Sequence, residues 1–142
     1  LLPLPAPIIW LRANDSGTAG TAEAKFGDDS SVIGVSSVPN YYQWHAAENE
    51  LYVSATGVYK VNANCCFTTA ATQSILLRLN VNNEVVHYVA QEVHTVADPH
   101  QVNLTYVGIV RTNQPISISR IGGSGHSLTM MEYSTVIVER VA

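Results

Sequence analysis

From residue 51 onward, apolar and polar side chains alternate with a period of two. Between residues 58 and 69, Tyr59, Val61, Ala63, Cys65 and Phe67 share one parity, and Val58, Lys60, Asn62, Asn64 and Cys66 share the other. Successive side chains of a strand point to opposite sides, so this run predicts a long strand with one dry face and one mostly polar face. Residues 75–81 alternate the same way, with Ile75, Leu77, Leu79 and Val81 against Leu76, Arg78 and Asn80. Asn82-Asn83 then predicts a two-residue hairpin turn, because asparagine tolerates positive φ. Residues 84–93 return as the partner, with Val85, His87, Val89, Gln91 and Val93 opposite Val86, Tyr88, Ala90 and Glu92. Further strands are expected over 101–110, with Val102, Leu104, Tyr106 and Gly108 on one side, over 116–121, and over 133–141.

The first fifty residues carry a weaker signal. Ile8-Ile9-Trp10-Leu11-Arg12 reads as a first strand, and Val32-Ile33-Gly34-Val35 and Tyr41-Tyr42-Gln43-Trp44-His45 as short ones. Residues 13–31 are rich in Gly, Ser, Thr, Asp and Ala and read as a long loop with a short edge strand near Ala24-Lys25-Phe26. Pro3, Pro5 and Pro7 space residues 1–7 into a stiff, extended approach segment, leaving 8–142 as a single domain. No stretch holds an apolar period of 3.6 over three turns, and no fixed-period repeat is visible. Eight to ten short strands at turn-sized intervals predict an all-β, two-sheet antiparallel sandwich.

Composition narrows the function classes. The chain has 142 residues, 46% hydrophobic and 13% charged. That is too apolar for a disordered tail and long enough for a core that needs no staple. A formal net charge of −4 argues against a nucleic-acid partner. Uncharged stretches are broken by Pro, Gly, Asn or Ser, so no membrane insertion is expected.

Candidate chemistry is sparse. Cys65 and Cys66 are adjacent and, in a strand, point apart; one buried and one outward thiol is expected, without a disulfide or a zinc site. His94, Asp98 and His100 lie close in sequence, and His87 and His126 are further imidazoles, but a solvated turn is a poor metal cage, so no metal and no cofactor are assigned. Histidines there give a pH response as the plainer alternative. No G-x-S-x-G elbow occurs, and Gly122-Gly123-Ser124-Gly125 lacks the lysine and strand-to-helix setting of a phosphate loop, so no catalytic residue is assigned and a non-enzyme is expected. Glu48 with Glu50, and Asp28-Asp29, lack a recognisable calcium-loop spacing. Asn14-Asp15-Ser16 and Asn103-Leu104-Thr105 are glycosylation sequons, the second inside a predicted strand.

The ordered series from Leu51 resembles a known superfamily. Residues 51–61 (Leu51-Tyr52-Val53-Ser54-Ala55-Thr56-Gly57-Val58-Tyr59-Lys60-Val61), the hairpin from Leu77 to Val86, Val102-Asn103-Leu104-Thr105-Tyr106-Val107, Gln114-Pro115-Ile116-Ser117-Ile118 and Ser134-Thr135-Val136-Ile137-Val138 are together similar to the trimeric jelly-roll heads of the tumour necrosis factor (TNF) and complement globular-head type. The resemblance covers about 90 residues, the C-terminal two-thirds. It implies a ten-strand jelly roll and a homotrimer whose inner sheets pack along a three-fold axis. Lys60, Asn62 and Asn64 are then axis candidates that would form a polar channel, with Tyr52, Tyr106 and Tyr133 as aromatic alternatives. It also implies a non-enzymatic head that attaches to a cell-surface protein or glycan receptor, in an extracellular or virion-surface setting such as the tip of a viral or phage fibre. A structural coat jelly roll and a secreted cytokine-like or complement-like ligand are the other readings. Binding residues are expected on loops, at Tyr41, Tyr42 and Trp44, at His94 and His100, and at His126.

Overall fold

A computed structural model of the chain describes residues 8–13, 21–23, 26–27, 42–45, 50–69, 73–93, 98–121, 128–130 and 134–142. These form two six-stranded sheets. The strands are β1 (Ile8–Ala13), β2 (Thr21–Glu23), β3 (Phe26–Gly27), β4 (Tyr42–His45), β5 (Glu50–Val53), β6 (Gly57–Thr69), β7 (Gln73–Val81), β8 (Glu84–Val93), β9 (His100–Val110), β10 (Ile116–Ile121), β11 (Leu128–Met130) and β12 (Thr135–Arg140). No helix among the described residues is long and apolar enough to cross a membrane.

The first sheet is built on β6, the 13-residue strand foreseen from its alternation. Antiparallel β9 covers one side of it, from Gly57↔Val110 to Phe67↔His100. On the other side β12 pairs with residues 59–64 and β11 with residues 67–69, end to end. β1 then flanks β12, and β3 flanks β1. The second sheet runs β4-β5-β10-β7-β8, with β2 also on β10. Several chain-adjacent strands lie in different sheets: β5 and β6, β6 and β7, β8 and β9, and β9 and β10. That is the crossing pattern of a jelly roll, where each sheet receives alternate strands.

The dry faces meet as expected from the alternation. Tyr59, Val61, Ala63, Cys65 and Phe67 of β6 pack with Val102, Leu104 and Val110 of β9 and Val136 and Val138 of β12. Opposing them are Leu51 and Val53 of β5, Ile75, Leu77, Leu79 and Val81 of β7, and Ile116 and Ile118 of β10. Side-chain bonds also tie the sheets. At one flank the Tyr42 hydroxyl donates to the Val138 carbonyl across 3.3 Å. At the other, the Thr105 N–H donates to His87 Nδ1 across 2.9 Å, joining β9 to β8. Burial first, then Tyr59 and Glu139, push ionisation of the Tyr42 phenol upward, so it stays a donor at any ordinary pH.

Between β7 and β8, Asn82 and Asn83 adopt φ values of 57° and 62°, the two left-handed residues that a type I′ turn requires. Asn83→Val is expected to lower stability by about 1–2 kcal/mol, seen as a lower urea midpoint, because a branched Cβ clashes in this conformation. Asn83→Gly is expected to leave the midpoint nearly unchanged. Just beyond the turn, a register shift at Leu79/Asn80 makes a bulge, so Val85 is exposed where strict alternation would have turned it inward.

The short strand β2 lies within the stretch 13–31 read from the sequence as a long loop, and β11 lies between the strands expected at 116–121 and 133–141. The expected strand at 32–35 falls outside the described residues, as does the approach segment 1–7.

Candidate functional site

The outward face of the first sheet is the candidate site. Strand alternation puts the non-core parity of β6, β9 and β12 there, and cross-strand register sorts it into levels. Val58 lies opposite Ile109; Lys60 lies between Glu139 and Val107; Asn62 lies between Ile137 and Thr105; Asn64 lies between Thr135 and Asn103; and Cys66 lies opposite Gln101.

The face mixes aliphatic and polar groups. Its apolar end holds Val58, Ile109 (54% exposed) and Val141 (49% exposed), with the Val58 carbonyl accepting the Val141 N–H at 2.8 Å; Val107, 63% exposed, shares the level of Lys60 and Glu139, and Ile137, 40% exposed, the level of Asn62 and Thr105. The other end is a carboxamide ladder. Asn103 Nδ2 donates to Asn62 Oδ1 at 3.0 Å, and Gln101 Nε2 donates to Asn64 Oδ1 at 2.6 Å. Both bonds run diagonally, each reaching one level from the directly opposed residue, which long polar side chains on twisted neighbouring strands do.

A serine closes the ladder end. On the side of β6 away from β9, between the end of β12 and the end of β11, no described strand pairs with Cys65 and Cys66. Ser134, fully buried, fills this gap: its Oγ accepts the Cys66 N–H at 2.7 Å and donates to the Cys66 carbonyl at 2.9 Å. One hydroxyl thus replaces two ladder bonds. Nothing in the residue pattern marks Ser134 for this role, because serine is common at strand starts. The apolar end did have a signal: Val107 and Ile109 interrupt the alternation of β9.

Cys65 and Cys66 are both free and both buried. The outward thiol expected of Cys66 is therefore corrected: its side chain is on the outward parity, yet it is covered. Burial, with Cys66 next to it, pushes the Cys65 thiol up to about 12, and burial also raises Cys66. Since the thiolate is the reactive form, a disulfide reagent at about pH 8 is expected to label neither thiol in the folded protein and both after denaturation.

The remaining candidates disperse. Tyr42 was expected on a binding loop; it is a core residue of β4, because the parity of that strand turns its ring inward and its hydroxyl finds Val138. Trp44 belongs to β4 as well. His100 opens β9 rather than sitting in a turn, and its ring stacks on Phe67 at 5.7 Å. Tyr52 faces away from the core on the second sheet, 4.5 Å from the His45 ring. Tyr106 folds back on the core side of β9 over Gly108, where any Cβ would collide with its ring, and donates to the Ile109 carbonyl at 3.1 Å. Neither Tyr52 nor Tyr106 is therefore on the face that holds Lys60, Asn62 and Asn64. Tyr41, His94, His126 and Tyr133 lie outside the described residues, as do Asp28, Asp29 and Glu48. Among the described residues no three His, Cys, Asp or Glu side chains are grouped to hold a metal.

No protein-family model matches this sequence, and no curated protein matches it. Solved structures do. The TNF Eiger of S. frugiperda aligns at a TM-score of 0.66 and 15% identity, over 98% of this chain and 94% of that one. Murine APRIL aligns at a TM-score of 0.73 and 9% identity, over 96% of this chain and 99% of that one. At such identities the likeness is one of architecture, held by strand order and core parity rather than by shared side chains. The two sheets, their order and their near-complete overlap with these structures give this chain a TNF-like jelly-roll fold.

Proposed function

We propose that the chain is a non-enzymatic trimeric head that binds a cell-surface protein or glycan receptor, in an extracellular or virion-surface setting, with the tip of a viral or phage fibre as the favoured context. The observation that carries the reading is the set of large aliphatic side chains, Val107, Ile109 and Ile137, exposed on one sheet face of a chain with this fold. Several such groups exposed on a single face favour an interface over a solvated face.

The occupant is a second copy of the same chain. At the flank of the sandwich β8 lies beside β9, and Val85 and Val86 are exposed there on β8. The flank of one copy thus offers aliphatic groups on an edge, while the sheet face around Ile137 offers them on a plane. Two unlike patches on one chain form a heterologous contact, which closes into a ring when the rotation allows it. Three copies around one axis would bury Val58, Val107, Ile109 and Ile137 and bring Lys60, Asn62 and Asn64 into a polar stretch near the axis. Pro3, Pro5 and Pro7 ahead of β1 favour delivery of the head from a stiff stalk.

A secreted ligand is the second reading, supported by the near-full overlap with Eiger and APRIL. Mass in solution tests the trimer: a 15.3 kDa particle at micromolar concentration removes it. Glycan-array and cell-surface binding then test the receptor role. Absence of binding to any surface favours a structural coat unit, and signalling by the unattached head favours the ligand.

A further inference from the structure

We propose that His87 is an acid-released clamp between the two sheets, closed while its ring is neutral and opened by protonation. The clamp lies within one chain and does not depend on the trimer reading above. β8 and β9 belong to different sheets and lie side by side at a flank of the sandwich. Among the described residues no ladder joins them: β8 pairs with β7, and β9 with β6. Along an antiparallel strand, successive N–H groups point to opposite sides. The Thr105 N–H points away from β6, across the open edge of β9, and donates to His87 Nδ1 at 2.9 Å. A side chain thus accepts where the carbonyl of a neighbouring strand otherwise would.

A backbone N–H can only donate, so the ring atom facing it must carry a lone pair. That fixes the ring and its tautomer together: Nδ1 is bare, and the proton of the neutral ring is on Nε2. A protonated imidazole has a donor at each nitrogen and no acceptor. One N–H would then face another, and the bond gives way to a repulsive contact. Imidazole is the side chain whose charge ordinarily changes between about pH 5 and 8, so the bond is present at the neutral end of that range and lost as the pH falls through it. The other charged and titratable groups on the three strands here are engaged or placed elsewhere. Leu79 of β7 is the register partner of His87, while Arg78 lies opposite Tyr88 and donates to Ser119 Oγ. Glu84 and Glu92 stand at the two ends of β8. On β9, His100 stacks on Phe67 and the Tyr106 hydroxyl donates to the Ile109 carbonyl.

Long-range proton–nitrogen spectra are expected to show the Nε2–H tautomer of His87 at neutral pH. Amide exchange, corrected for its intrinsic pH dependence, then reads the bond itself. Between about pH 7.5 and about pH 5, protection of the Thr105 amide is expected to fall about fivefold. Leu104 and Tyr106, whose N–H groups point to β6, are expected to keep theirs. His87→Asn places a carbonyl oxygen close to the position of Nδ1 and does not titrate, so it is expected to keep Thr105 protected at both pH values. His87→Ala is expected to leave Thr105 equally unprotected at both. Unchanged protection of Thr105 in the parent chain overturns the clamp. An Nδ1–H tautomer overturns it as well, as does a fall in His87→Asn equal to that of the parent, which would place the titrating group elsewhere.

Discussion

Ile109→Asp is expected to convert a particle of three times 15.3 kDa into a folded 15.3 kDa monomer. Ile109 is 54% exposed in the single chain, on the outward side of β9, where an aspartate would be hydrated without cost. The core side of β9 is formed by Val102, Leu104 and Val110, so the sandwich itself does not register the change. Assembly reverses the balance. Burial of a Val- or Ile-sized side chain contributes about 1.5–3 kcal/mol, and a carboxylate buried without a partner costs several kcal/mol more. The substitution acts in every copy around the axis, so its effect on the trimer is multiplied. Val107→Asp is expected to behave alike. Gln43→Ala, at an exposed site on β4 of the second sheet, is expected to leave the mass unchanged. Light-scattering mass with far-ultraviolet circular dichroism on each variant reads both outcomes. A trimer that survives Ile109→Asp and Val107→Asp would move the interface elsewhere.

How far the sequence anticipates this face depends on which physical signal each part leaves in it. Period-two alternation is forced wherever one side of a strand is dry. The core of β6 and β7 was therefore legible residue by residue, from Tyr59 to Phe67 and from Ile75 to Val81. The Asn82-Asn83 turn was legible because few residues accept two successive positive φ values. Pairing between distant strands leaves no local trace. That β12 and β11 share one side of β6, and that a gap opens between them at Cys66, follows only from the register. Tyr42 misled for a related reason: an aromatic near a turn signal reads as surface, while its burial depends on the parity of a four-residue strand. Lys60, Asn62 and Asn64 were singled out as a polar face, but their amide partners Gln101 and Asn103 sit some forty residues on and became visible only through the β6–β9 pairing.

Ser134→Ala is expected to destabilise the fold by about 2–4 kcal/mol. Ser134 is fully exposed to protein and not at all to solvent, and it meets both polar groups of the Cys66 peptide. Removing one oxygen leaves the cavity almost unchanged, so packing contributes little. The methyl group of alanine is itself more at ease in a dry site than a hydroxyl. The loss therefore measures hydrogen bonding: a buried N–H and a buried C=O each lose a partner, at about 1–3 kcal/mol apiece. No neighbouring strand can move in to replace the hydroxyl, since β12 is held to residues 59–64 and β11 to residues 67–69. Urea denaturation reads the free energy. Amide hydrogen exchange reads the place, with protection lost at Cys66 first and retained at Val61 and Ala63, where β6 lies between β9 and β12. A variant as stable as the parent, with Cys66 still protected, would show that the break between β12 and β11 is bridged by something other than this hydroxyl.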